Sequence, residues 1–238
     1  MKTMKIRTVH TLFVLSLLTL CACNEGKKTN QGQQGEPQSE NRTEEAETET
    51  KTTIEVGKEF QQVNNISSLD IEWREGPCSV TFVGNPLLAN HFDFQFDDAG
   101  LTILQKTEDT QLPARLVITS PTLTILSNYN EAAIHLCGIL TAQQLTLGNQ
   151  GGGSIEADTI RCEQFKYSSA AASTAKFALI DADDALILAD GTGTTDLNLD
   201  VRHLNLQAWG TQTITLDGHA DTREISVSRT NMVNNRLQ

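Results

Sequence analysis

From Ile54 onward, apolar and polar residues alternate in short runs, the period-2 pattern of strands that bury one face. Leu69-Asp-Ile71-Glu-Trp73, Val80-Thr-Phe82, Phe92-Asp-Phe94-Gln-Phe96 and Leu101-Thr-Ile103 each put their apolar side chains on one side. Gly76-Pro77, Gly84-Asn85-Pro86 and Asp97-Asp98-Ala99-Gly100 supply turns between them. No stretch of helical length carries helical spacing. A single short helix is expected over Pro86 to Asn90, where proline suits the first helical position.

Beyond Pro113 a longer period takes over. Leu123-Thr-Ile125, Leu145-Thr-Leu147, Phe165-Lys-Tyr167, Leu186-Ile-Leu188, Leu204-Asn-Leu206 and Ile225-Ser-Val227 recur at intervals of 22, 20, 21, 18 and 21 residues. A second strand follows each of the first five, at Ile134-His-Leu136, Ile155-Glu-Ala157, Ala175-Lys-Phe177, Leu197-Asn-Leu199 and Ile214-Thr-Leu216. Small-residue turns such as Gly151-Gly-Gly153, Ser168-Ser-Ala170 and Gly191-Thr-Gly193 separate the two. Such a repeat reads as a solenoid, because one coil cannot bury its inner face alone and stacked coils can. For parallel strands in one sheet the connection is expected to be right-handed. An antiparallel sandwich of hairpins is the alternative that alternation by itself leaves open.

The first residues follow a different rule. Lys2, Lys5 and Arg7 precede an apolar run from Leu12 to Leu20 that is too short to span a bilayer and has the size of a signal-peptide core. The run ends in Leu20-Cys21-Ala22-Cys23, which resembles a bacterial lipobox. The resemblance implies a lipoprotein signal peptide over 1–22 and a diacylglycerol on Cys23, an anchor that strengthens by about 0.8 kcal/mol per buried methylene. Asn24 to Thr53 then holds one apolar side chain apart from Pro37, namely Ala46. A segment this polar cannot offset its ordering entropy, so 23–55 is expected to be a lipidated cysteine followed by a disordered tether. The folded domain is expected over 56–238.

Composition narrows the partners. The chain has 238 residues with 30 acids and 18 bases, a formal net charge of -12. Nucleic acid is excluded, because a phosphate backbone calls for clustered Lys and Arg. The tether carries seven acids against four bases, so most of the negative charge belongs to the domain. Anionic surfaces are therefore repelled unless a local patch or a cation intervenes.

Leu69-Asp-Ile71, Gly76, Val80-Thr-Phe82-Val-Gly84 and Gly100-Leu101-Thr-Ile103, followed by coils of about twenty residues with Gly-rich turns, resemble the auto-transporter adhesin family with a head GIN domain, found in Bacteroidetes lipoproteins. The turns depart from the family's Gly-Ser-Gly: Gly191-Thr-Gly193 is nearest and Ser168-Ser-Ala170 has no glycine. The resemblance implies an all-β, right-handed parallel β-helix of pectin-lyase-like type behind an N-terminal ladder of alternating strands. It also implies an adhesion role in an outer-membrane lipoprotein, on a leaflet that the sequence leaves open.

Candidate chemistry is sparse. Asp181, Asp183 and Asp184 form the densest acidic group, which reads first as a solvated corner and otherwise as the acids of a polysaccharide-cleaving β-helix or as hard oxygen ligands for Ca²⁺, though not in an EF-hand. His91, His135, His203 and His219 stand singly, and no zinc spacing or nucleophile motif occurs, so neither metal nor cofactor is expected. Cys78, Cys137 and Cys162 are odd in number; Cys137 and Cys162 could meet on adjacent coils or stay free. Trp209 and Tyr129 sit in turns where other coils carry small residues, and are candidate binding rings for a glycan or protein ligand. The expected function is non-enzymatic binding or adhesion. An enzyme, or a periplasm-facing structural protein, is the alternative, and homo-oligomers through a coil face or end are a further expectation.

Overall fold

The computed structural model describes residues 50–107, 113–228 and 231–238. The expected signal peptide, Cys23 and the tether up to residue 49 lie outside these residues. Fourteen strands and one short 3-10 helix, Pro86–His91, make up the fold. The strands are β1 (Lys51–Ile54), β2 (Gln62–Ile66), β3 (Asp70–Glu75), β4 (Ser79–Val83), β5 (Phe92–Asp97), β6 (Gly100–Gln105), β7 (Arg115–Ser120) and β8 (Ile125–Asn128). Five long ones follow, β9 (Ala133–Asn149), β10 (Ser154–Ser169), β11 (Thr174–Ala189), β12 (Thr194–Ala208) and β13 (Thr213–Val227), and then β14 (Met232–Asn235).

β9 to β13 pair in parallel, each with the next. The fold is therefore the expected β-solenoid, and the antiparallel sandwich is set aside. Each long strand bends around a corner of the coil. Its first part, such as 154–157, lies on what we call face b, and its last part, such as 164–169, lies on face a of the next coil. Between them a short face c, such as 159–162, is set off by a register shift. Alternation sends Leu145, Phe165, Ala185 and Leu204 inward on face a, in register with one another. Phe177 packs edge-on against both Phe165 and Tyr167, with ring centroids 5.7 and 5.2 Å away.

Where face a turns into face b, the inner corner is polar. Asn65, Asn128 and Asn149 are fully buried and stacked on successive coils. Asn128 Nδ2 donates to the Ala132 carbonyl at 2.9 Å and to Asn149 Oδ1 at 3.3 Å. Asn149 Nδ2 donates to the carbonyls of Gly153 and Thr174 at 2.9 and 3.0 Å. The Ala132 and Gly153 carbonyls also accept the Ser154 and Thr174 N–H groups, at 3.2 and 3.0 Å, so the amides add a second donor at the corner while burying their own polar groups with partners. Further along, Ser169 holds the same corner and Gln212 Nε2 donates to its Oγ at 3.1 Å. The outer turn depends on backbone that packs closely. Gly191 has φ +108, and a Cβ there would lie 2.0 Å from the Ala171 carbonyl oxygen. Ala171, in the coil without glycine, takes a left-handed φ of 55 in its place.

The N-terminal part differs from expectation in two ways. First, β1 lies inside the stretch assigned to the tether. Its Thr52 and Ile54 are buried and the strand pairs antiparallel with β4, so the folded domain begins at Lys51 or before, at least five residues ahead of the expected start at 56. Second, the turns at 76–77 and 84–86 do not join paired strands. β7 lies between β3 and β4, parallel to one and antiparallel to the other. Likewise β2 lies between β6 and β8, parallel to both. The coil built from β2 and β3 is thus inserted between that of β6 and β7 and that of β8 and β9. Chain order and stacking order disagree there. Only β5 and β6 form the expected hairpin, and β5, β4 and β1 lie across the solenoid's first coil as an antiparallel end. The expected short helix is present one residue longer than read.

Replacing Asn149 with alanine leaves the Gly153 and Thr174 carbonyls without that donor. The expected loss is about 1–3 kcal/mol of stability, measured by urea unfolding. A loss near zero would mean that the corner amides carry no stabilising load.

Candidate functional site

Alternation that drives every second side chain of face a into the core drives the others outward. On five successive coils the outward pairs are Gln144 and Thr146, Gln164 and Lys166, Asp184 and Leu186, His203 and Asn205, and Thr222 and Glu224. They line a shallow trough of about 620 Å³ that follows the solenoid axis. With neighbouring coils roughly 4.8 Å apart, it runs about 19 Å from the first pair to the last. Its outward charges are Lys166, Asp184 and Glu224. Arg223 falls in register with the inward Leu204, and its guanidinium donates to the Leu237 carbonyl at 3.2 Å.

At the far end of the trough the side chains bond one another. His203 Nδ1 and Thr222 Oγ1 are 2.6 Å apart, and Asn205 Nδ2 donates to Glu224 at 3.4 Å. The Thr222 hydroxyl also donates to the Arg202 carbonyl at 3.3 Å, which leaves it to accept from the imidazole.

The three sequence-predicted aspartates do not converge. Asp181 and Asp183 point outward from face c, where Arg161 approaches Asp181 at 3.6 Å and Arg202 pairs with Asp183. The hydrogen bond and charge of Asp183 raise Arg202 above its ordinary value. Asp184, past the corner, belongs to the trough. Two carboxylates each held by an arginine on a neighbouring coil form a surface ladder, and that arrangement is not a general acid facing a general base. Among the described residues, no group of three or more His, Cys, Asp or Glu could hold a metal ion.

Tyr129 and Trp209 are both half-exposed, at 48% and 50%. They occupy the same column of the outer a–b corner, because each backbone N–H bonds to the equivalent carbonyl one coil back, Asn65 for Tyr129 and Ala189 for Trp209. Gln150, Ala170 and Asp190 fill the coils between them, so the rings are about 19 Å apart and cannot grip one sugar together. Neither lines the trough.

Cys137 and Cys162 do not meet. The register puts Cys162 beside Ala142 and Ala182, whereas Cys137 lies at the corner between faces b and c. All three described cysteines are free. Burial pushes the Cys162 thiol up to about 12, with Asp181 and Asp183 adding to it. Burial, then Glu72, raises Cys137 as well. Next to Cys137, Asp158 fixes the corner: its Oδ2 accepts from Gly138 N–H at 2.7 Å, and its Oδ1 lies 3.3 Å from His135 Nε2. The Gly138 bond, then His135, holds the Asp158 carboxyl below its ordinary value.

The trough's lining was largely missed by motif reading, which looks for residue types with known chemistry. Its signal in the sequence is positional. Residues 144, 164, 184, 203 and 222 recur at one place in the repeat, each just before the position of the face-a inward column.

A parallel β-solenoid with an antiparallel N-terminal end and a polar-lined trough on one face is the class this chain defines. No protein-family model matches it, and no curated protein matches it in sequence. Among solved structures, it is similar to a "putative adhesin" from Bacteroides fragilis at TM-score 0.64 and 15% identity, covering 81% of this chain and 98% of the other. It is also similar to a "Putative lipid binding protein" from Parabacteroides distasonis at TM-score 0.51 and 14% identity, covering 81% and 96%. At these identities the likeness establishes the fold.

A thiol with its pKa near 12 is almost wholly protonated at pH 8, and the thiolate is the reactive form. Iodoacetamide at pH 8 is expected to leave Cys162 unmodified in the native protein and to label it after denaturation, read by peptide mass spectrometry. Rapid native labelling would contradict its placement.

Proposed function

We propose that this chain is a non-enzymatic binding or adhesion module of the cell envelope, and that the trough on face a is its contact surface. The supporting observation is the trough's outward lining of amides, hydroxyls and Leu186, with Lys166 and Asp184 offsetting each other on its central coils. A surface of this kind, neither strongly cationic nor strongly anionic at its centre, suits an uncharged glycan or a protein face. The descriptions of the two similar structures, an adhesin and a lipid-binding protein, agree with a binding role. The pairing of Asp181 and Asp183 with arginines weighs against the polysaccharide-cleaving alternative.

The lipobox-like Leu20-Cys21-Ala22-Cys23 supports attachment by lipid at Cys23, with the polar segment after it as a spacer. In this reading the tether joins the domain through β1 at the antiparallel end. The resemblance to the head GIN domain family, carried by the residues named for it, supports the same role.

The test is retention of the full chain, displayed on beads, on bacterial and host-matrix surfaces. Leu186→Arg, at the centre of the trough, is expected to lower retention at least tenfold with the circular dichroism spectrum unchanged. Trp209→Ala, outside the trough, is expected to leave it intact. Retention indifferent to Leu186→Arg would overturn the assignment of face a. Turnover of a polysaccharide that Asp183→Asn abolishes would replace the binding reading with the enzymatic one.

A further inference from the structure

We infer that the trough holds a subsite for an uncharged oligosaccharide, laid along the solenoid axis over the three coils that carry Gln144, Gln164, Lys166, Asp184 and Leu186. The inference rests on face a being the contact surface and adds the chemistry of what it contacts.

What singles out these three coils is a difference in side-chain bonding across a single corner. On face c, the polar side chains pair between coils: Gln143 with Glu163 at 3.3 Å, Arg161 with Asp181, and Arg202 with Asp183. The next two coils of the trough are also internally bonded, through His203 with Thr222 and Asn205 with Glu224. Gln144, Gln164, Lys166 and Asp184 make no side-chain hydrogen bond or ion pair among the described residues, although they lie in register on adjacent coils. Four hydrogen-bonding side chains therefore point into one trough with their capacity unspent.

Their chemistry defines the ligand. Two amides offer both donors and acceptors, an ammonium offers donors, and a carboxylate offers acceptors. A ligand that fits this set must donate and accept at closely spaced points. It must also carry no net charge, because Lys166 and Asp184 balance. Vicinal hydroxyls do this: one hydroxyl donates to a carboxylate or amide oxygen while its neighbour accepts from an amide or ammonium. Leu186, between the polar groups, gives an apolar contact for the C–H face of a sugar ring. A peptide would bring backbone groups that want a strand edge, and face a presents the flat of a sheet whose ladder bonds are already made. Three coils cover about 10 Å from first to last, the reach of a di- or trisaccharide. No aromatic platform lies in the trough, so affinity rests on hydrogen bonds, and a long polymer is held by repeated weak contacts.

The experiment applies the full chain to an array of defined neutral and acidic oligosaccharides, followed by titration of the strongest soluble hit. Binding is expected to be confined to uncharged sugars. Gln164→Ala and Asp184→Asn are each expected to weaken it tenfold or more with unchanged thermal unfolding, and Tyr129→Ala to leave it unchanged. No array binding, binding to acidic sugars alone, or binding indifferent to Gln164→Ala would overturn the subsite. The two readings fail differently. If Leu186→Arg abolishes surface retention and the array stays blank, face a still binds, its partner is a protein, and the sugar subsite is wrong. If Leu186→Arg changes nothing, the contact face itself is wrong and the subsite falls with it.

Discussion

Each coil of this protein is completed by the coils beside it. A coil has an inner face of alternate apolar side chains, but its two ends are raw edges of backbone groups and half-covered hydrophobes. Register is therefore the constraint on which everything else depends. If one coil slid by a residue, its inward side chains would turn outward. The buried Asn65, Asn128 and Asn149 column resists such a slip, since each amide must find its own corner carbonyl. Gly191 resists it on the outside, where the Ala171 carbonyl leaves no room for a Cβ. From the same register comes the site. Stacking in step collects one outward residue from each coil into a column, and five coils turn scattered Gln, Lys, Asp, His and Thr into one lined trough.

Much of the fold was legible because the repeat is written in apolar positions. Leu145, Phe165 and Leu204 recur at the length of one coil, and the structure places them in one inward column. Between Phe165 and Leu204 the inward place belongs to Ala185, and Leu186, which the repeat suggests, faces out, while Ile225 pairs with Leu206. The aspects that were not legible depend on long-range pairing. Nothing local in Val80-Thr-Phe82 indicates that β7 will come between it and Leu69-Asp-Ile71, because both sides of that contact are ordinary alternating strands. Similarly, Lys51-Thr-Thr-Ile54 is as polar as the tether before it. It becomes a strand because β4 offers an edge and the core accepts Thr52 and Ile54. Asn128 and Asn149 stand where a strand gives way to a turn, and turn composition alone does not distinguish an exposed amide from a buried one.

The candidate site shows the same division. Residue types that announce chemistry, the aspartates of 181–184 and the rings of Tyr129 and Trp209, were easy to find. The structure separates them: two aspartates are held by arginines, one lies in the trough, and the rings stand at opposite ends of one corner. Asp184 alone among them joins the trough. Its companions there, Gln144, Gln164 and Lys166, are unremarkable in sequence and acquire meaning only from being neighbours.

The disagreement between chain order and stacking order is the account's most exposed claim, because it places the coil of β2 and β3 between two coils that follow it in sequence. Asn64 is in register with Ser127, whereas Thr102 is separated from Ser127 by that inserted coil. Paired cysteines at these positions, oxidised in the full chain and located by peptide mass spectrometry, test it directly. The account predicts a disulfide between Asn64→Cys and Ser127→Cys, and none between Thr102→Cys and Ser127→Cys. The reverse result would mean that the coils stack in the order of the chain.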